Sequence, residues 1–218
     1  MPERRLRSAA IAIAVALVAA GRTASAQAPS APSPPARPAW NLSAMLYSYF
    51  IPDERDYLQP TVAADRGVLH LETRANYEGL GVGSAWAGWN FAWCKAVTLE
   101  LTPMFGGVFG DTKGVAAGGR GRFNWDFIEA SSESEYVFDA TGKADWFYYN
   151  WSQVLLSPAE WWYAGLVAQR TRAYKGERDI QRGFLVGFIL GPVDITAHMF
   201  NPDDARPTYV LSVSVGRK

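Results

Sequence analysis

The residues best suited to chemistry are charged side chains that recur at every second position. They are Glu72 and Arg74, Glu100, Arg120 and Arg122, Glu129, Glu133 and Glu135, Arg170 and Arg172, and Asp194. A spacing of two places each run on one face of an extended strand. Charges of both signs facing a narrow interior pair, because a desolvated charge alone is costly. Two roles suit such a set: a salt-bridge ladder that fills the interior, or a permeation path whose Arg and Glu rows select small polar or charged solutes. Strand order sets Glu72, Arg74 and Glu100 close together, and Arg120 and Arg122 near Glu133 and Glu135.

A second group is acidic and sits in connections: Asp53, Glu54 and Asp56 near the start, Asp203 and Asp204 near the end. If the first and last strands pair, the five carboxylates meet at one rim. Hard oxygen ligands of this kind could hold a divalent cation. The alternative is a solvated acidic loop partly neutralised by Arg55 and Arg206. No other cofactor is expected, since no phosphate-cradling loop and no metal-binding cysteine pattern occurs.

Nucleophilic catalysis lacks its parts. The chain has two histidines, His70 and His198, neither in a His-x-Ser arrangement, and it contains no G-x-S-x-G elbow. Cys94 is the single cysteine, so an intrachain disulfide framework is excluded.

The elements that carry these residues show a period of two. In Val68-Leu69-His70-Leu71-Glu72-Thr73-Arg74-Ala75-Asn76-Tyr77 the odd positions are apolar or small and the even ones polar, which no amphipathic helix reproduces. Tyr209, Leu211, Val213 and Val215 alternate with Thr208, Ser212 and Ser214 in the same way. Strands are expected over 40–51, 56–65, 67–77, 83–93, 96–108, 114–123, 127–138, 146–156, 161–173, 180–190, 193–200 and 207–216.

The connections alternate between short turns, such as Arg66-Gly67, Cys94-Lys95 and Gly191-Pro192, and longer charged loops, such as 52–55, 139–145 and 201–206. A soluble sandwich has no reason to segregate its loops this way, whereas a membrane barrel does. Aromatic placement supports the barrel. Trp93, Trp125, Trp161 and Trp162 fall beside short turns, while Tyr47, Tyr49, Tyr57, Tyr77, Tyr136, Trp146, Tyr174 and Tyr209 fall toward long loops. Two interfacial girdles are the expected result.

Residues 1–26 read as a signal peptide, with a basic start at Arg4, Arg5 and Arg7, an uncharged run from Ser8 to Gly21, and a cut after Ala24-Ser25-Ala26. Its removal takes away four Arg and one Glu, leaving 17 basic and 20 acidic residues, a balance that argues against a nucleic-acid partner. Residues 27–39 are rich in Ala, Pro and Ser and read as a flexible tether. Residues 40–218 suit one domain.

Leader, tether, strand count, girdles and the loops Pro52-Asp53-Glu54-Arg55-Asp56 and Phe200-Asn201-Pro202-Asp203-Asp204 together resemble the small outer-membrane β-barrel proteins of Gram-negative bacteria, most of all a group without an assigned activity. The resemblance implies an all-β fold: a single antiparallel, up-and-down transmembrane barrel of about 12 strands, within a range of 10–12. It implies an outer-membrane location, with outer-membrane lipids, lipopolysaccharide and the barrel assembly machinery as partners. A cation at the acidic rim would then bridge lipopolysaccharide phosphates. The function expected is non-enzymatic: a narrow pore for small polar or charged solutes, or a structural surface protein. The alternatives are a lipid-modifying or lipid-hydrolysing barrel enzyme and a binding scaffold that uses the acidic outer loops.

Overall fold

The computed structural model describes residues 38–140, 146–173 and 179–216. The expected signal peptide and all of the tether but Pro38 and Ala39 lie outside the described residues.

Alternating sequences rich in aromatic and β-branched residues suit pleated strands, and the described residues form thirteen strand segments: β1 (Asn41–Phe50), β2 (Tyr57–Arg66), β3 (Leu69–Ala75), β4 (Val82–Trp89), β5 (Phe91–Cys94), β6 (Thr98–Gly110), β7 (Gly114–Trp125), β8 (Ile128–Asp139), β9 (Phe147–Ala159), β10 (Trp162–Ala173), β11 (Asp179–Leu190), β12 (Val193–Phe200) and β13 (Thr208–Gly216). The single strand expected over 83–93 is interrupted at Asn90. Gly88 pairs with Met104 and Phe91 with Leu101, so β4 and β5 keep one register against β6 and form one stave. The break has a cause in the lumen. Asn90 turns its backbone N–H to the Val68 carbonyl (2.8 Å) and its side-chain amide to Asp65 (2.6 Å), while its Oδ1 accepts from the Thr102 hydroxyl (2.8 Å).

Twelve antiparallel staves therefore close into a barrel, with β1 hydrogen-bonded to both β2 and β13 and β4 joined to β6. Closure removes the unpaired edges that an open sheet of this length would expose. One end carries two-residue turns after β2, β7, β9 and β11 and a slightly longer one after β5; most connections at the other end are longer. Gly67, Asp126 and Gly191 occupy the left-handed region in the tight turns, a conformation cheapest for glycine.

The side chains sort into two faces by parity. Leu71, Leu101, Phe105, Val115, Val154, Leu166, Phe184, Phe188 and Leu211 point out and are exposed. Their partners in alternation, among them Glu72, Arg74, Met104, Glu135, Leu155, Leu185 and Val210, point in and are buried. The packed core thus lies inside the barrel, and an apolar belt surrounds it, the reverse of a soluble protein.

Candidate functional site

Two sets of contacts fill the lumen, and several of them join staves that are not neighbours in the sheet. In the first, Arg74 on β3 is the hub. Its Nε bonds Glu72 on its own strand, its Nη1 donates to Glu135 Oε2 at 2.7 Å, and its Nη2 lies 2.7 Å from Glu133 Oε1. The guanidinium also lies over the rings of Tyr77 (4.3 Å) and Trp86 (4.9 Å), and the side chain is 1% exposed. Arg120 on β7 extends the network, with Nε to Glu133 Oε2 at 2.6 Å and Nη2 to Glu72 Oε1 at 2.7 Å. Tyr77 donates its hydroxyl to Glu133 (3.1 Å), and His70 Nδ1 lies 2.8 Å from Asp65. Since β3 and β8 are separated by several staves, these bonds strap the interior from wall to wall.

The second set is aromatic. Tyr47 on β1 packs its ring 5.5 Å from Trp151 on β9, Tyr77 lies 5.2 Å from Tyr149, and Tyr49 stacks on Tyr57 at 4.7 Å. Val167, Leu185, Phe200 and Val210 complete this cluster. Tyr163 donates to Asp194 (2.7 Å) and shares a 2.6 Å hydrogen bond with Thr196. Toward the turn end the interior is more open, and Arg122 stands 3.6 Å from both Glu100 and Glu129, each at least a quarter exposed.

Two solved structures superpose on this barrel over most of its length. The KdgM porin superposes with a TM-score of 0.54 at 10% identity, covering 81% of this chain and 99% of its own. A KdgM porin in complex with disordered oligogalacturonate superposes with a TM-score of 0.56 at 11% identity over the same shares. The fold is that of an outer-membrane β-barrel. No protein-family model matches the chain, and no curated protein sequence matches it.

Within this barrel several residues stand elsewhere than alternation alone suggests. Glu100 does not join Glu72 and Arg74, because Glu72 pairs across to Trp86 and Trp86 to Gly106, well along β6 from Glu100. Its partner is Arg122, the residue directly opposite it. Arg122 in turn lies with Glu129 rather than with Glu133 or Glu135. Arg170 is not a lumen charge: it shares the outward parity of Leu166 and Ala168, and its guanidinium lies 5.6 Å from the Tyr148 ring. An arginine near the loop end of a strand can lay its stem on the apolar belt and keep its head at the boundary. The side chain of Arg172 and the whole of Tyr174 lie outside the described residues.

The loop-side girdle also divides. Tyr136, Trp146 and Tyr209 follow the outward parity, but Tyr47, Tyr49, Tyr57 and Tyr77 turn inward and build the lumen cluster. The turn-side girdle of Trp93, Trp125 and Trp161 is exposed on the outside.

Two of the five rim carboxylates are taken up in ion pairs. Asp53 is bonded to Arg206, and Asp203 to Arg182 at 3.0 Å. A hydrogen bond from its own backbone and then Arg182 hold the Asp203 carboxyl below its ordinary range. Among the described residues no three carboxylate or imidazole groups are placed to share a metal ion, at this rim or elsewhere.

A polar island on the outer face was invisible in the alternation. Asn150 Nδ2 donates to Ser132 (3.0 Å) and Ser134 (2.8 Å), and Ser132 and Ser152 bond each other at 2.9 Å. The strand register, which brings β8 and β9 side by side, assembles it from residues nearly twenty positions apart.

Proposed function

We propose that this chain is an outer-membrane barrel acting as a narrow, cation-preferring pore, with the Arg74 network as its constriction and the longer loops facing outward. The observation that carries the reading is the charge of the inner wall. Asp65, Glu72, Glu100, Glu129, Glu133, Glu135 and Asp194 face the lumen against Arg74, Arg120 and Arg122. Acidic walls in a low-dielectric channel concentrate cations and repel anions. The apolar belt suits hydrocarbon, and strands of up to 13 residues are long enough to span it.

The same wall disfavours the ligand named for one structural neighbour. Oligogalacturonate is a polycarboxylate, and an inner surface with excess carboxylate opposes its entry. Wall-to-wall contacts further restrict passage to ions and very small polar solutes. Single-channel recording of the refolded barrel in a planar bilayer under a potassium chloride gradient tests the reading. Small discrete steps with a cation-selective reversal potential are expected, moving toward zero selectivity in Glu100→Gln with Glu129→Gln. A folded barrel that stays silent, or one that selects anions, overturns it.

A further inference from the structure

The outer face of the barrel is indented where β7 to β11 lie side by side. Arg182 pairs with Ala168, Ala168 with Ser152, Ser152 with Ser132 and Ser132 with Gly121, so small residues stand in one row across four strands. On the turn side of that row the apolar belt resumes with Phe123, Val154, Leu166 and Phe184. The step in side-chain size leaves a groove of about 730 Å³ lined by both rows. From Arg182 to Gly121 the row crosses four interstrand spacings, about 20 Å, comparable with one extended phospholipid acyl chain. Strand tilt sets its ends at different heights. Arg182 stands three residues from the loop-side start of β11 and Gly121 four from the turn-side end of β7, so the groove descends from the loop side into the belt. Its floor already has its hydrogen bonds: Ser132 and Ser152 bond each other (2.9 Å), and Asn150 donates to Ser132 (3.0 Å). A hydrocarbon chain lying there strands no hydroxyl of the floor.

The loop-side end of the groove is cationic. Arg170 pairs with Ile180 while Ala168 pairs with Arg182, which makes the two arginines diagonal neighbours on the outward face. Such positions lie about 7–8 Å apart, a gap that one phosphate can bridge. Arg170 packs against the Tyr148 ring, its Nε has no acceptor, and among the described residues it meets no carboxylate. Arg182 gives one Nη to Asp203 (3.0 Å) in an exposed pair, and its fork keeps further N–H donors. A guanidinium at the border of hydrocarbon without an acidic neighbour draws its anion from the membrane surface. We propose that the outer face of β7 to β11 binds one phosphate-headed lipid, with the phosphate between Arg170 and Arg182 and an acyl chain in the groove below them. The site lies outside the lumen and holds whether or not the lumen conducts.

The test is native mass spectrometry of the folded full chain released from micelles that contain equal amounts of phosphatidylglycerol and phosphatidylcholine. One phosphatidylglycerol should stay bound in preference to phosphatidylcholine. Arg170→Gln and Arg182→Gln should each lower that preference about fivefold, the worth of one arginine near a lipid headgroup. Arg170→Lys, which keeps the charge, should retain most of it. Arg206→Gln, which removes a loop arginine paired with Asp53 outside the groove, should leave the preference unchanged. Ala168→Phe fills the groove and should reduce retention of both lipids while the barrel stays heat-modifiable. An unchanged preference in both glutamine variants overturns the site. Displacement of the lipid by inorganic phosphate alone overturns the role of the groove, and a dimer mass that Ala168→Phe abolishes would give the face to a second copy of the chain instead.

Discussion

At the scale of single residues, Arg74 decides whether the lumen holds together. Among the described residues it is the one cation that meets Glu72, Glu133 and Glu135 at once, and the rings of Tyr77 and Trp86 lie against it. Truncating one partner of a buried ion pair costs more than the pair is worth, because the survivors stay buried without a counter-charge. Arg74→Ala should therefore destabilise the folded barrel by about 3–5 kcal/mol, measured by denaturant unfolding in detergent or liposomes. Arg74→Lys should rescue only part of the loss, since a point charge cannot serve three carboxylates with a planar fork. A loss under about 1 kcal/mol, the range of exposed pairs, would show the network to be solvated. The alternation of Glu72 and Arg74 was enough to put both inside. Their partners on β8, 61 positions away for Glu135, depended on the register of staves that never touch one another.

At the scale of the strand, parity is the governing rule, and it explains both the success and the failure of the aromatic reading. Distance from a loop tells how high a tyrosine sits; only odd or even position tells which face it takes. Tyr47 and Tyr49 are inward on β1 while Tyr209, near them in height on β13, is outward. Lipid-phase quenching separates the two classes. In single-tryptophan variants, brominated lipids should quench Trp93, Trp125 and Trp161 strongly and leave Trp86 and Trp151 bright; equal quenching of Trp151 would contradict its 8% exposure inside the barrel. A complementary measurement is Leu166→Arg, which sets a charge on the outward face of β10 at 59% exposure. Unfolding from liposomes should show a loss of about 2–4 kcal/mol if hydrocarbon covers that face. An unchanged stability would mean that water reaches it.

At the scale of the whole molecule, closure turns a curled sheet into a container, and the pairing of β1 with β13 is where it can be checked. Ser48 lies opposite Leu211, both outward, while Tyr49 lies opposite Val210, both inward. In a Cys94→Ser background, Ser48→Cys with Leu211→Cys should oxidise to a disulfide that alters the gel mobility of the heat-denatured chain. Ser48→Cys with Val210→Cys should not, because a one-residue slip sends the second thiol to the other face. Oxidation of both pairs alike would argue for an unclosed or sliding seam. The chain by itself determined the strands, the alternation of short and long connections and the antiparallel barrel, because each depends on neighbours within ten or so residues and on a period that local sequence displays. Only the tertiary structure decided that Glu100 serves Arg122 instead of Arg74, that Arg170 leaves the lumen, that four tyrosines of a supposed girdle fill the interior, and that two of the rim carboxylates, Asp53 and Asp203, pair with Arg206 and Arg182. The physical reason is common to all four. Each depends on the stagger between staves and on how a ring of this width fills its own centre, quantities set by closure and absent from any single strand.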